Sequence, residues 1–295
     1  MSNISPIDGR YKKNVSELGE YFSEQALMRH RVMVEVKYLL ALVEHKSFKK
    51  TRVLSKKAFT SLKNLYVDFS LKDFKQIKKI EEKTNHDVNA VVVFISEKLK
   101  KAGREDLVPL VHFGLTSEDI NNTAYSLMTK GAVDNIMIPS IKSVLKELKT
   151  FSKKTKSLPL LSLTHGQPAT TTTLGKELAV FISRIERELA LIKKMRLLAK
   201  FSGATGSYAA HKVAFPSFSW PVFSKRFINK LGLEQSPVST QIEPGDSLAE
   251  LFHSFVRINN IFSDFSLDMW LYISRNIFVQ KNIVGEVGSS TMPHK

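Results

Sequence analysis

His165 is the first residue that could do chemistry. It stands in the segment 164–168 (THGQP), whose glycine and proline predict a turn between two helices. Histidine changes its charge near neutral pH, so a histidine presented on a turn can donate or accept a proton during catalysis. A loop histidine that bonds to the backbone is the alternative interpretation of the same residues.

The segment 285–295 (GEVGSSTMPHK) is the second candidate, since two glycines bracket a run of small polar residues. Such glycines predict a hinged loop that closes over a substrate. Ser289 and Ser290 can donate to an anion. Serine becomes a usable base only when its alkoxide is stabilised, here by Lys295 and backbone N–H groups. A flexible tail is the alternative interpretation.

Three more segments could bind a polar or anionic ligand. Thr116 and Ser117 precede two acidic residues at a predicted helix start, a pattern typical of capping and equally of a carboxylate site. The turn 84–87 (TNHD) is either an Asx turn or a binding turn, and Arg10 could hold a phosphate with two hydrogen bonds. We find no phosphate loop, dinucleotide motif or clustered metal ligands in the sequence, and therefore expect no metal and no cofactor.

The elements that position these residues are predicted to be long helices. Apolar side chains recur at three- and four-residue steps over 28–43, 141–151, 174–192 and 251–272, the last at heptad spacing. Long helices with one apolar stripe pack side by side in a bundle. Apart from Arg10, near the N-terminus, the candidate residues fall in the polar breaks between helices, at 84–87, 114–119, 158–170, 202–221, 232–245 and 285–295.

Composition sets the class of protein. The 295 residues are 43% hydrophobic and 24% charged, which excludes collagen-like and disulfide-scaffold proteins. There is no cysteine, so disulfides, thiolate chemistry and cysteine metal sites are excluded. No apolar run approaches the roughly 20 residues of a membrane helix, and the start lacks an apolar signal core. We expect a soluble, cytoplasmic protein that binds no membrane.

The charge predicts an anionic partner. Lys and Arg number 44 and Asp and Glu 28, a net charge of +16. Nucleic acid and small polyanionic metabolites are both candidates, and a solvated lysine-rich surface is a third interpretation. The lysines are scattered, and no helix-turn-helix, zinc-finger or aromatic RNA-binding motif is present in the sequence.

Together these segments resemble the adenylosuccinate lyase family, the purine branch of the fumarase/aspartase superfamily. The matching motifs, in chain order, are SPIDGRY at 5–11, TNHDV at 84–88, TSEDIN at 116–121, LTHGQPAT at 163–170, QIEP at 241–244 and GSSTMPHK at 288–295. The chain departs from the family at Leu163, where an arginine is usual, and in 203–211, where smaller residues replace asparagines. It also stops at Lys295, where the family continues.

The resemblance implies an all-α fold, a long-helix bundle of the fumarase/aspartase type with a smaller helical N-terminal domain. The N-terminal domain would cover 1–115. The central bundle would cover 116–295 and would be incomplete, with the rest of it and a third domain outside this sequence. The family is homotetrameric, and each of its active sites draws residues from three subunits.

The activity implied is a C–N lyase of purine nucleotide biosynthesis that releases fumarate. Adenylosuccinate would give AMP, and the succinylamino-carboxamide ribotide SAICAR would give AICAR. By the match, Ser289 is the base and His165 is the acid. The substrate-binding residues would be Arg10 and Tyr11 for phosphate, with Asn85, His86, Asp87, Thr116, Ser117, Thr164, Gln241, Ser290, Met292 and Lys295 for the other groups.

Three alternatives stay open at this point. Another superfamily lyase or cycloisomerase can share the MPHK loop, although the NHD and HGQPA segments argue against a carboxymuconate cycloisomerase. A basic helical nucleic-acid-binding protein would account for the charge. A catalytically inactive assembly fragment would account for the end at Lys295.

Overall fold

A computed structural model describes residues 4–49, 54–281 and 283–292, and helices make up most of it. The helices are α1 (Lys12–Val15), α2 (Gly19–Phe22), α3 (Glu24–Glu44), α4 (Lys46–Lys49), α5 (Lys56–Val67), α6 (Leu71–Thr84), α7 (Asp87–Lys101), α8 (Ser117–Ala132), α9 (Ile138–Lys154), α10 (Leu174–Lys194), α11 (Ala209–Ala214), α12 (Trp220–Lys230) and α13 (Asp246–Ser274). Short helical turns at Ser16–Leu18, Glu105–Leu110 and Val133–Met137 accompany them. The predicted all-α fold is confirmed.

The chain divides into two compact units. Unit 1 comprises residues 1–142 and 195–250, and unit 2 comprises residues 143–194 and 251–295. The predicted boundary at residue 115 separates two consecutive stretches of the chain, whereas each compact unit combines two separate stretches. The domain boundary at residue 115 therefore stays a prediction.

Helix α3 forms the centre of unit 1, where it packs against α5, α7 and α8. Its start is fixed by Ser23, whose Oγ accepts the N–H of Ala26 at 3.1 Å. The predicted apolar stripe is buried, and Val32, Val36 and Leu39 have no solvent exposure. These contacts hold α3 beside the start of α7 and the start of α8, which carry candidate residues.

Unit 2 contains α10 and the main part of α13. Phe181 of α10 and Phe265 of α13 stack edge to face with ring centroids 5.4 Å apart, and Arg184 pairs with Asp264 at 2.7 Å. The predicted heptad stripe from 251 to 272 is buried or half-buried throughout. An opposite group of apolar side chains on α13 is exposed, namely Phe252, Val256, Leu267 and Trp270.

The prediction of a loop over 158–170 is wrong. Strands β1 (Pro159–Thr164) and β2 (Gln167–Thr173) form an antiparallel hairpin there. The run Thr170–Thr173 is β-branched at each position, and such side chains favour extended backbone. Strands β3 (Leu198–Ala199) and β4 (Glu234–Gln235) form a short parallel pair in unit 1.

Candidate active site

The N-terminal end of α8 carries the first candidate residues. Thr116 precedes the helix and Ser117 is its first residue; both are half-buried. The backbone N–H of Thr116 donates to Oδ2 of Asp119 at 2.9 Å, which fixes the turn into the helix. Because a helix N-terminus carries partial positive charge, the two hydroxyls stand where a carboxylate would be favoured.

Asp119 is fully buried and pairs with an equally buried lysine. Lys200 Nζ lies 2.8 Å from Oδ1 of Asp119, and neither side chain is exposed. The backbone N–H groups of Ser202 and Gly203 also donate to this carboxylate, at 2.9 and 3.1 Å. The amide of Asn122 accepts the N–H of Lys200 at 2.8 Å and donates to its carbonyl at 3.0 Å. Segment 200–203 is therefore anchored to the first turns of α8.

Segment 202–206 in turn contacts the residues that precede Gln241. The hydroxyls of Ser202 and Ser239 lie 3.0 Å apart. Gly206 has φ +75, and a Cβ at this position would overlap the carbonyl oxygen of Ser239. Only glycine suits that position. The side chain of Gln241 is exposed. It lies two residues after Ser239, which is linked through Ser202 to the start of α8.

Asn85, His86 and Asp87 form the turn between α6 and α7. Asn85 ends α6 in the left-handed conformation, at φ +49. His86 caps α7 by accepting the N–H of Asn89 on its Nδ1 at 3.2 Å. This hydrogen bond assigns the proton of the neutral ring to Nε2, which makes the exposed His86 a donor toward a ligand.

Arg31 links this turn to α8. Its Nη2 lies 2.5 Å from Oδ2 of Asp87, and its Nε donates to Oδ1 of Asn121 at 2.9 Å. Arg31 is 3% exposed, whereas the side chain of Asp87 is 41% exposed, so the guanidinium is buried and reaches a carboxylate that solvent contacts. Unit 1 therefore brings the turn 85–87 and the start of α8 onto one connected set of polar contacts.

His112 is a candidate that the sequence reasoning missed. Its Nδ1 lies 2.6 Å from Oε1 of Glu35, and its backbone N–H donates to Oε2 at 3.2 Å. Burial lowers the pKa of His112, but the hydrogen bond and charge of Glu35, together with the charge of Asp119, raise that pKa above its ordinary value. His112 lies four residues before Thr116, a spacing that could have drawn attention to it.

His165 occupies the tip of the β1–β2 hairpin in unit 2. Thr164 pairs with Gln167, so the turn consists of His165 and Gly166, with φ of +51 and +74. Positive φ at both central residues is typical of a type I′ turn. The side chains of Thr164 and His165 are exposed, and the imidazole is accessible to a ligand.

Ser289 lies in an irregular loop of unit 2. Its Oγ accepts the backbone N–H groups of Thr291 and Met292, at 3.3 and 3.1 Å. Hydrogen bonds to an oxygen favour its deprotonated form, so these donors would stabilise a serine alkoxide. Ser290 and Met292 are exposed in the same loop. The predicted ligand Lys295 lies outside the described residues.

Among the described residues, no hydrogen bond, ion pair or ring contact joins Arg10 or Tyr11 to the other candidates. The Arg10 guanidinium lies over the Tyr11 ring, 5.7 Å from its centroid. Farther along, Tyr21 accepts a hydrogen bond from Asn135 at 2.9 Å, beyond the C-terminal end of α8. At about 1.5 Å per residue, that end of α8 is on the order of 20 Å from Thr116.

Within 4–49, 54–281 and 283–292, no three or more carboxylate and histidine side chains are grouped as a metal would need. No helix in those ranges has the length and apolar character to span a bilayer.

The family to which this chain belongs follows from its match to known protein families. A family described as "Lyase" matches residues 9–295. The chain belongs to the lyase family. The family resemblance inferred from the sequence motifs is confirmed.

Three curated relatives of this lyase are named adenylosuccinate lyase. Adenylosuccinate lyase of Dictyostelium discoideum is 46% identical over 302 residues. Those of Escherichia coli strain K12 and Legionella pneumophila strain Corby are 43% and 42% identical over 296 residues. Each alignment covers 100% of this chain and 65% of the relative, so the lyase chain spans just under two thirds of their length.

Solved structures share the fold of this lyase. A fumarate lyase from Mesorhizobium sp. BNC1 superposes with a TM-score of 0.71 at 20% identity, covering 88% of this chain and 57% of that one. A 3-carboxy-cis,cis-muconate lactonizing enzyme from Pseudomonas putida gives 0.72 at 21% identity, covering 95% and 60%. The predicted fumarase/aspartase type of helical fold is thereby confirmed.

Proposed function

We propose that this lyase cleaves adenylosuccinate to AMP and fumarate, and SAICAR to AICAR and fumarate. The substrate class is supported by the relatives named adenylosuccinate lyase, which are 41–46% identical over the whole chain. The reaction type is supported above all by one observation, the two backbone N–H groups that donate to the hydroxyl of Ser289.

The reaction is a β-elimination. Ser289, as the base, takes the proton from the carbon next to one carboxylate of the succinyl group. The electron pair forms the double bond of fumarate, and the C–N bond breaks. His165, as the acid, protonates the departing nitrogen. The intermediate is a carbanion whose charge spreads into the carboxylate, so donors aimed at that carboxylate lower the barrier.

The binding roles follow the anionic groups of the substrate. Thr116, Ser117, Ser290 and Lys295 would donate to the carboxylates. Arg10 and Tyr11 would hold the phosphate, and His112, whose pKa is raised by the hydrogen bond and charge of Glu35, would be a further ligand for a substrate anion. The ribose, base and succinyl groups would be fixed by Asn85, His86, Asp87, Thr164, Gln241 and Met292. The net charge of +16 attracts such a polyanion, and no cofactor is required.

A homotetramer with shared active sites belongs to the same proposal. Among the described residues, no hydrogen bond or ion pair joins Arg10 to the segment around Thr116, and a site completed by another copy would supply this arginine from a second chain. The exposed apolar side chains of α13, Trp270 at 63% and Leu267 at 55% among them, are suited to helix packing between subunits. Location in the cytoplasm is carried over from the family resemblance.

The test uses the full-length protein and adenylosuccinate. We expect the absorbance of the substrate to fall while AMP and fumarate appear in equal amounts. The Ser289→Ala variant should lose the reaction and still bind the substrate, and Ser266→Ala, on the exposed face of α13, should react normally. Turnover of a carboxymuconate in place of adenylosuccinate, or salt-sensitive nucleic-acid binding without fumarate release, would reject the proposal.

A further inference from the structure

Helix α3 is mostly apolar on its buried surface, but it carries one line of three buried polar side chains, apart from the buried His30, whose ring bonds within the helix to the carbonyl of Ala26. Arg31, Glu35 and Tyr38 stand at positions i, i+4 and i+7, which lie on one face of a helix. They are 3%, 0% and 1% exposed. We call these three residues the polar stripe. Buried polar groups destabilise a fold unless they find partners, so the partners of the stripe indicate its purpose.

The three residues of the polar stripe bond to two segments of the candidate site. Arg31 reaches Asp87, and Glu35 reaches His112, as described above. The Tyr38 hydroxyl donates to the carbonyl of Phe113 at 2.9 Å. The stripe thus holds the turn 85–87 and the segment 112–113, which lead directly into α7 and α8.

We propose that the polar stripe is the positioning element of the active site in unit 1, with Arg31 orienting the turn 85–87 and Glu35 orienting His112 toward the ligand. The inference rests on the proposed function only in treating those two segments as substrate-binding. The stripe residues act through their partners, and none of them is a catalytic residue.

The chemistry of Arg31 suits this role. Its Nε and Nη2 bond two different elements at once, Asn121 of α8 and Asp87 of α7. A planar guanidinium offers these donors at a fixed angle, whereas the single ammonium of a lysine cannot reproduce the fork. Arginine at this position therefore supplies more than a positive charge, because it also fixes the spacing between the starts of α7 and α8.

Glu35 controls His112 through both of its oxygens. Oε1 faces the ring Nδ1 and Oε2 accepts the backbone N–H, so the ring has one orientation. The charged groups that act on the imidazole are Glu35 of α3 and Asp119 of α8, both acidic. A cationic His112 directs Nε2–H away from Glu35, as a donor for an anionic ligand.

The first experiment measures the protonation of His112 directly in the full-length protein. Titration of 13C-labelled histidines by NMR, with His112→Gln to assign the signal, should give a lower midpoint for His112 in Glu35→Gln than in the unaltered protein. An unchanged midpoint would overturn the role of Glu35. This readout needs no turnover, so it is interpretable even if adenylosuccinate is not the substrate.

The second experiment measures substrate kinetics. Arg31→Lys should raise KM about tenfold or more, as expected for a lost charge-assisted hydrogen bond, while kcat stays within about threefold. Arg29→Lys is the matched control, because Arg29 lies two residues away on α3 and pairs with Glu20 at the surface. Equal KM values for the two variants would overturn the proposal. Asn121→Ala removes one partner of the fork without burying a charge, and serves if Arg31→Lys does not fold; an unaltered KM in that variant would overturn the proposal equally.

Discussion

Lys200 and Asp119 form an ion pair inside unit 1 at 2.8 Å, with no solvent contact for either side chain. The carboxylate receives three backbone N–H groups as well, from Thr116, Ser202 and Gly203. Such a pair is stable only because every lone pair has a donor, and a change at either partner leaves the other charge buried and unpaired.

Replacing the lysine should therefore destabilise the fold. We expect Lys200→Met to lower the free energy of unfolding by about 3–5 kcal/mol, the usual loss when one partner of a buried pair is removed. Lys130→Met is the control, since the pair of Lys130 with Asp134 is exposed and should contribute about 0–1 kcal/mol. Urea unfolding of both variants measures the difference, and similar midpoints would contradict the expectation.

His211 should make the fold sensitive to acid. Burial lowers its pKa to about 4, with the charge of Asp119 opposing this effect and that of Lys200 adding to it. Below the ordinary value of 6.5 the unfolded chain binds a proton that the folded chain refuses, so stability falls as pH drops from 6.5 toward 4. The loss between pH 7 and pH 5 should be on the order of 2 kcal/mol.

Urea unfolding at the two pH values isolates this contribution. His211→Gln should show a smaller loss between pH 7 and pH 5 than the unaltered protein, whereas His253→Gln, at an exposed position of α13, should not. The same pH dependence in all three proteins would show that His211 is protonated at its ordinary pKa.

His165→Ala in the full-length protein should lower turnover by at least about 100-fold, the lower range for general acid–base catalysis. Its fold should be unaffected, because the side chain is exposed at a hairpin tip. His253→Ala is the control, as an exposed histidine of the same unit. Near-normal turnover in His165→Ala would move the acid role elsewhere, and His86 would be the next residue to change.

Arg10→Ala should affect binding of the phosphate end of the substrate and leave binding of the fumarate end unchanged. If Arg10 binds the phosphate, the variant should bind AMP more weakly while its affinity for fumarate stays the same. Calorimetric titration of each product measures this. An equal loss for both products would remove Arg10 from the phosphate site.

The loop that holds Ser289 should close on the ligand. Gly285 has φ +90, and the residues from 283 to 292 are exposed except for the half-buried Ser289. A base that removes a proton from carbon works best with water excluded. Hydrogen exchange across 285–292 should slow when AMP and fumarate bind, and unchanged exchange would contradict closure.

Local pattern was sufficient to predict the long helices and the helix start near Ser117, because apolar spacing and capping residues are properties of neighbouring positions. The hairpin at His165 was missed because glycine and proline suggested a loop, although β-branched threonines favour a strand. Arg31, Glu35 and His112 were missed for another reason. Their bonds join positions 90 and 77 residues apart, and no spacing along the chain encodes such pairings.

The side-chain amide of Asn122 bonds both the backbone N–H and the backbone carbonyl of Lys200, as a neighbouring β-strand would. Irregular segments commonly exchange their amide hydrogens through small local fluctuations, at little free-energy cost. Lys200 lies outside every helix, yet its N–H can reach water only when the first turns of α8 separate from it. A stretch with the geometry of a loop therefore belongs to the same cooperative folding unit as the helix it touches.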